Sequence, residues 1–288
     1  MKAIIVGGTG LAGQAVHRRL LSSGIETITL ARKNADHCVD LLDRSKLIAV
    51  LDQQKPDLII NCAGQIDLKQ CSQKLADSWH LNTIIVGDMS AWCVENGSAL
   101  IHISTDHLFH GGPPIKHSEE DPVSLRNDYA RQKFAAEHLA RAGKSLVIRT
   151  SMVGFRNWAS PTFAEWAISC IEERRPINLW EDAWTSLIDS SSLAIAVEQL
   201  IDQSVTNMTL NIGSSDVFSK ADFIRELSLQ LGIPLNQPVS TSIHKNTDFP
   251  RASNLGLDVS RAENLLGIKL PTLSEVVSNL LKQRRINE

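Results

Sequence analysis

Six short apolar runs recur along the chain: KAIIVG, TITLAR, DLIINCAG, ALIHIS, SLVIRTS and TLNIG. Each is too short for a buried helix, and several are apolar at successive positions rather than at alternate ones, which predicts strands covered on both faces. Between them stand segments with helical spacing: LAGQAVHRRLLSSG, RSKLIAVLDQQ, ADSWHLNTIIVGDMSAWCVENG and the stretch RNDYARQKFAAEHLA. Strands alternating with helices predict an α/β chain with a parallel sheet between helical layers.

The alternation is regular up to about Thr150 and then changes character. FRNWASPTFAEWAISCIEERRPINLWEDAWTS holds Trp158, Trp166, Trp180 and Trp184, four of the six tryptophans, and the text from Phe218 onward is helical with proline-containing loops. The expected organisation is a larger α/β domain over residues 1–150, to which 190–213 return, and a smaller lobe over 151–288. With 288 residues the chain is long enough for one large core or two unequal lobes.

A formal charge of −3 with mixed signs argues against nucleic acid or an anionic membrane as partner. The start, MKAIIVGG, enters an apolar strand directly, so no signal peptide is expected, and no apolar run approaches the roughly 20 residues that span a bilayer. Cys38, Cys62, Cys71, Cys93 and Cys170 are scattered and read as reduced thiols of a cytoplasmic protein. His102, His107, His110 and His117 form a loose group whose spacing fits no zinc pattern, so no metal is expected.

IIVGGTGLAGQAV sets Gly7, Gly10 and Gly13 between a strand and a helix, with Thr9 and Leu11 in the same turn. Glycines there let the backbone approach a pyrophosphate seated on the positive end of the helix. The spacing, GxxGxxG, and its context point to a Rossmann-type doubly wound sheet that binds a dinucleotide. The second strand ends in Arg32 and Lys33, where an acid would hold the ribose of NAD. Two cations favour the 2′-phosphate of NADP(H), with NAD(H) still possible. Asp40 and Leu41, in VDLLD, are expected at the adenine edge, and Cys62, Ala63 and Gly64, in NCAG, beneath the cofactor.

Tyr129 is the only tyrosine, and Lys133 follows four residues later. On a helix the two share a face, and a neighbouring ammonium favours the phenolate, which would lower the phenol's pKa. YxxxK is short, and a half-buried tyrosine with an accidental lysine is its plain structural reading.

With GxxGxxG, NCAG, ISTDHLFHG and YxxxK in this order, the chain resembles the extended short-chain dehydrogenase/reductases. Within them it is similar to the dTDP-4-dehydrorhamnose reductases, over nearly its whole length. ISTDHLFHG is similar to their STDYVFDG, LVIRTSMVG to their RTSWVYG, and PRASNLGLD to their RPxNSxL. The resemblance implies a nucleotide-sugar substrate bound by the smaller C-terminal lobe, and leaves a homodimer open. It implies that Tyr129 is the proton donor, that Lys133 binds the nicotinamide ribose, and that Thr105 or Ser104 holds the substrate carbonyl. Asn82 would support the lysine through water. Asp106, His107, Arg251, Asn254 and Trp180 would face the sugar or its nucleotide, although a tryptophan in a small lobe is more often core.

His107, His110 and Met152 depart from the family's tyrosine, aspartate and tryptophan, and WEDAWTSLIDSSSLA lacks its GxPT. The expected function is NADP-dependent reduction of a nucleotide-linked 4-keto-6-deoxy sugar. One alternative is a nucleotide-sugar epimerase or dehydratase, against which His107 counts, since those dehydratases carry a glutamate there. Another is a cofactor-binding regulatory subunit resembling the methionine adenosyltransferase β subunit.

Overall fold

A computed structural model describes residues 1–111, 115–156, 158, 160–245 and 252–287. Its centre is a parallel sheet built from β1 (Lys2–Val6), β2 (Glu26–Ala31), β3 (His37–Cys38), β4 (Leu58–Asn61), β5 (Ala99–Ile103) and β6 (Ser145–Arg149). Four short strands, β7 (Met152–Val153), β8 (Ile177–Trp180), β9 (Trp184–Thr185) and β10 (Ile188–Asp189), precede β11 (Met208–Asn211), which completes the sheet beside β6. The order is β11-β6-β5-β4-β1-β2-β3, the doubly wound arrangement of a Rossmann-type fold. All six apolar runs enter this sheet. The two-residue β3 has no apolar run to announce it.

The helices between these strands are α1 (Leu11–Ser22), α2 (Arg44–Gln54), α3 (Leu68–Gln73), α4 (Leu75–Trp79), α5 (Ile85–Asn96), α6 (Asp128–Ala140), α7 (Phe163–Glu172) and α8 (Ser190–Asp202). Successive strand residues point to opposite faces. Ala3 and Ile5 therefore join the core packed by Val16 and Leu20 of α1 and Leu193 and Val197 of α8. Ile4 and Val6 join the opposite core, with Leu47 and Leu51 of α2, Met89 and Trp92 of α5, and Ala136 and Ala140 of α6. A fully buried side chain such as Ile5 or Ile59, cut to alanine, costs about 2–5 kcal/mol.

The long segment from Leu75 to Asn96 is not one regular helix. A π-helical turn, His80–Ile84, separates α4 from α5 and turns Asn82 and Thr83 into the interior. Such bulges recur at functional sites.

The rest of the chain comprises β12 (Phe218–Ser219), α9 (Lys220–Leu231), β13 (Pro238–Thr241), β14 (Asn254–Leu255), α10 (Ser260–Leu266) and α11 (Leu273–Asn287). Two small sheets, β12-β9-β14 and β13-β8, lie beside α7, α9 and α11. A third core gathers Ile168, Leu179, Phe218, Phe223, Leu227 and Val277. No helix of the described residues is long and apolar enough to cross a membrane.

Candidate active site

The strand order reverses at β1, which has β2 on one side and β4 on the other, and ligands of such sheets sit beyond the strand ends at that point. The loop after β1 carries the glycines. Gly7 has φ +81°, and a Cβ there would stand 2.7 Å from the backbone nitrogen of Ala63. At Gly13 a Cβ would meet the carbonyl oxygen of Gly7 at 2.2 Å. Any side chain at either place would push α1 or the loop after β4 out of position. Gly10 is the N-cap of α1, with no side-chain cap and no acid in the first turn, so the positive end of the helix is not neutralised from within. Thr9 accepts a bond from Gln14 through its carbonyl (2.6 Å), and Leu11 opens the helix and reaches Gly154.

Arg32 and Lys33 follow β2 and are exposed, and neither forms an ion pair with another described residue. A cleft of about 490 Å³ opens nearby, lined in part by Gly8, Thr9, Arg18, Thr29 and Asp36. The sequence reading overlooked Asp36, the acid closest after β2. Its carboxylate accepts from the backbone and hydroxyl of Thr29 (2.8 and 2.7 Å), which hold it below the usual carboxylate range.

Asp40 is exposed and accepts from the backbone of Leu42 (3.1 Å), whereas Leu41 is buried in the second core and does not offer a free face to a ligand. Cys62, Ala63 and Gly64 follow β4. Cys62 is half-buried and its thiol is pushed up to about 12 by burial. No nucleophilic thiolate stands there.

The spacing of Tyr129 and Lys133 is realised on α6, capped by Asn127, whose side chain accepts from the backbone of Ala130. Tyr129, Gln132, Lys133, Ala136, Glu137 and Ala140 form its buried face. The phenol's pKa is raised, contrary to the lowering expected from the sequence. Burial dominates, a hydrogen bond with Thr105 opposes it, and Asp106 adds to it. The ammonium is not the cause because Lys133 turns away from the phenol. Its Nζ lies 3.1 Å from His102 Nε2 and donates to the Ile103 carbonyl at 2.8 Å. Burial lowers its pKa to about 8, with Glu137 and Cys62 pulling the other way.

The two hydroxyls of the ST pair divide. Ser104 donates to Glu137 (2.6 Å) and so belongs to a buried ion pair, since Glu137 also receives the Nε and Nη2 of Arg149 (3.0 and 2.8 Å). Thr105 is the hydroxyl at the phenol, and it accepts from the backbone of His107 (3.2 Å). Asp106 is buried beside it with its pKa pushed up to about 7. Burial is the cause, only partly offset by Ser151 and the charge of Lys220, and its Oδ2 has no hydrogen-bond partner.

No direct hydrogen bond joins Asn82 to Lys133 among the described residues. It accepts from the Gln65 backbone nitrogen (2.7 Å) and donates to the Gln65 carbonyl and the Gln132 side chain (2.9 and 2.7 Å). The π-helical turn thus uses it to fasten the loop after β4.

His102 is the residue that sequence reading did not assign. It stands opposite Asn61 in the β4–β5 register, and its Nδ1 lies 3.1 Å from Asn61 Nδ2. The one available signal was a pair of polar residues near the ends of two otherwise apolar strands. The other three histidines go elsewhere. His107 meets the Tyr129 ring edge-on at 5.6 Å, His117 stacks on Phe109, and His110 is half-buried.

Of the residues expected to face a sugar, Asp106 and His107 lie beside Tyr129. Asn254 is fully buried, accepting from the Gly256 backbone and donating to the Ile115 carbonyl, so its amide shapes the chain at β14 rather than facing a ligand. Trp180 packs against Trp166 and Phe163 at 5.7 and 6.4 Å, in the third core. Arg251 lies outside the described residues. Met152 begins β7 and packs against the first core.

A glycine-cradled strand–helix turn and a buried YxxxK face on one doubly wound sheet are the marks of a short-chain dehydrogenase/reductase. The model of the RmlD substrate binding domain matches residues 1–286, and the chain belongs to that family. It is similar to a probable low-salt glycan biosynthesis reductase of Haloferax volcanii, with 27% identity over 97% of each chain. It is similar also to the dTDP-4-dehydrorhamnose reductase of Escherichia coli K12, with 24% identity over 98% of each. Among solved structures, a dTDP-4-dehydrorhamnose reductase of Bacillus anthracis in complex with NADP superposes with a TM-score of 0.88. Its sequence identity is 20%, and the match covers 98% of this chain and 99% of that one.

Proposed function

We propose that this chain is an NADPH-dependent reductase of a nucleotide-linked 4-keto-6-deoxy sugar. The observation that carries the reading is the buried face of α6, where Tyr129 and Lys133 stand one turn apart with Thr105 at the phenol. The names of its relatives in Haloferax volcanii and Escherichia coli, a glycan biosynthesis reductase and a dehydrorhamnose reductase, support a sugar as substrate. The cradle at Gly7 and Gly13, closed to any Cβ, fits a pyrophosphate, and exposed Arg32 and Lys33 suit a 2′-phosphate.

Bound there, NADPH supplies the hydride for a ketone carbon. Tyr129 gives the proton to the developing alkoxide, and a raised pKa ensures that the phenol carries that proton near neutrality. The Thr105 hydroxyl donates to the same oxygen. Lys133 is assigned to the nicotinamide ribose, and Asn82 to the loop beneath the cofactor. Residues 1–150 with 190–213 form the cofactor lobe, and the remaining residues from 151 form the lobe that takes the sugar nucleotide.

The test is direct. Purified protein mixed with NADPH and dTDP-4-dehydrorhamnose is expected to oxidise the cofactor in step with loss of the ketone. No turnover of any keto sugar, with NADPH bound tightly, would favour a regulatory subunit instead.

A further inference from the structure

A buried polar chain runs from the loop after β4 to Lys133, and its hydrogen-bond parity fixes where the protons are. The Oδ1 of Asn61 accepts from the backbone nitrogen of Ala63 at 3.0 Å, which sets the amide so that its Nδ2 faces His102 Nδ1 at 3.1 Å. An amide nitrogen only donates, so that ring nitrogen is the acceptor and carries no proton. A neutral imidazole then bears its proton on Nε2, the atom 3.1 Å from Lys133 Nζ. An ammonium is a donor only, and two donors cannot pair. Reversing the Asn61 amide would satisfy an ammonium but set its NH₂ against the Ala63 N–H. Protonating the ring as well would leave two donors facing each other at both ends.

We propose that His102 is a positioning residue that biases Lys133 toward the uncharged amine, which accepts from His102 Nε2–H while donating to the Ile103 carbonyl. Burial acts in the same direction, since it favours the neutral forms of both His102 and Lys133. The groups that act on Lys133 through space are Cys62 after β4 and Glu137 on α6 itself. Glu137 is already matched by Arg149. The charge that supports a tyrosinate is therefore completed when Lys133 takes a proton from solvent and leaves His102 for another acceptor. This consequence rests on the reductase reading, but the protonation states themselves are read without turnover.

The experiment is NMR of protein labelled with the heavy nitrogen isotope at lysine Nζ and in the histidine rings, with Lys133→Arg and His102→Gln used for assignment. The wild type is expected to show an unprotonated Nδ1 and a protonated Nε2 at His102, and a Lys133 midpoint well below that of free lysine. His102→Leu removes the donor that only an amine can accept, and is expected to raise the Lys133 midpoint by about one pH unit, a tenfold change. His102→Gln, whose side-chain N–H can take the place of Nε2–H, is expected to return it toward wild type. An Nδ1–H ring, or a midpoint lowered or unchanged in His102→Leu, would overturn the proposal. Should the leucine variant not fold, the wild-type ring tautomer and the glutamine variant decide it alone. Missing turnover alongside the expected spectra would refute the reductase reading and leave the His102–Lys133 pairing in place.

Discussion

Two ends of the same helix face bury charge in opposite ways. Toward the C-terminus of α6, Glu137 is fully buried, yet its carboxylate receives Ser104 and two nitrogens of Arg149, with Arg141 at 3.6 Å. Donors meet acceptors, and opposite charges meet in a forked geometry. One to two turns earlier, Lys133 and Tyr129, with Asp106 beside the phenol from the segment after β5, are buried without a forked ion pair of this kind. The phenol and carboxyl are pushed up and the amine down, and Asp106 Oδ2 has no partner. The first arrangement is what stability requires of a buried ion. The second suits proton transfer, since Asp106 and Lys133 titrate near neutrality while Tyr129 keeps the proton it is to give. Both are buried and polar, and only the accounting of their partners separates scaffold from site.

The contrast yields tests. The largest effect is expected at the closed end: Glu137→Ala leaves the Arg149 guanidinium buried without its partner and should destabilise the fold by about 3–5 kcal/mol in denaturant titration. At the open end the sign reverses. The pKa of Asp106 is raised from 3.8 to about 7, so its folded protonated form is favoured below about pH 4, and that stability is lost as pH rises through 7. Asp106→Asn should therefore stabilise the protein at about pH 8 by as much as about 4 kcal/mol while lowering activity. A Glu137-like loss of stability would mean that Asp106 is structurally paired.

Lys133 gives a smaller, oppositely placed slope. With a pKa lowered from 10.5 to about 8, it makes the unfolded chain bind more protons across that window, so stability should rise with pH there by about 3 kcal/mol in total. Lys133→Met should flatten this rise, as measured by thermal unfolding at a series of pH values. The smallest effect belongs to the exposed rim. Arg32→Ala should weaken NADPH by about 1.5 kcal/mol, roughly tenfold, and leave NADH unchanged in fluorescence titration.

How far the sequence discloses this contrast depends on distance along the chain. The strands, the glycine turn and the shared face of Tyr129 and Lys133 follow from local periods, and local periods survive folding. The partners of that face do not. Lys133 meets His102 from 31 residues away, and Glu137 meets Ser104 from 33 and Arg149 from 12, because the sheet register brings them together. The direction of the Tyr129 shift is hidden for the same reason, since spacing sets two side chains on one face without showing how deeply the phenol is buried or which partners the lysine finds. The motif resemblance points Asn254, and residue type points Trp180, toward a ligand, whereas long-range packing gives them backbone and aromatic partners.

The central claim is that the open end of α6 carries the chemistry, and Tyr129→Phe tests it most directly. The substitution removes one oxygen and keeps the ring. With wild-type folding and NADPH affinity retained, kcat for reduction of dTDP-4-dehydrorhamnose is expected to fall about 10²- to 10⁴-fold, the usual contribution of a positioned acid. A folded Tyr129→Phe protein that reduces the sugar at the wild-type rate would contradict it.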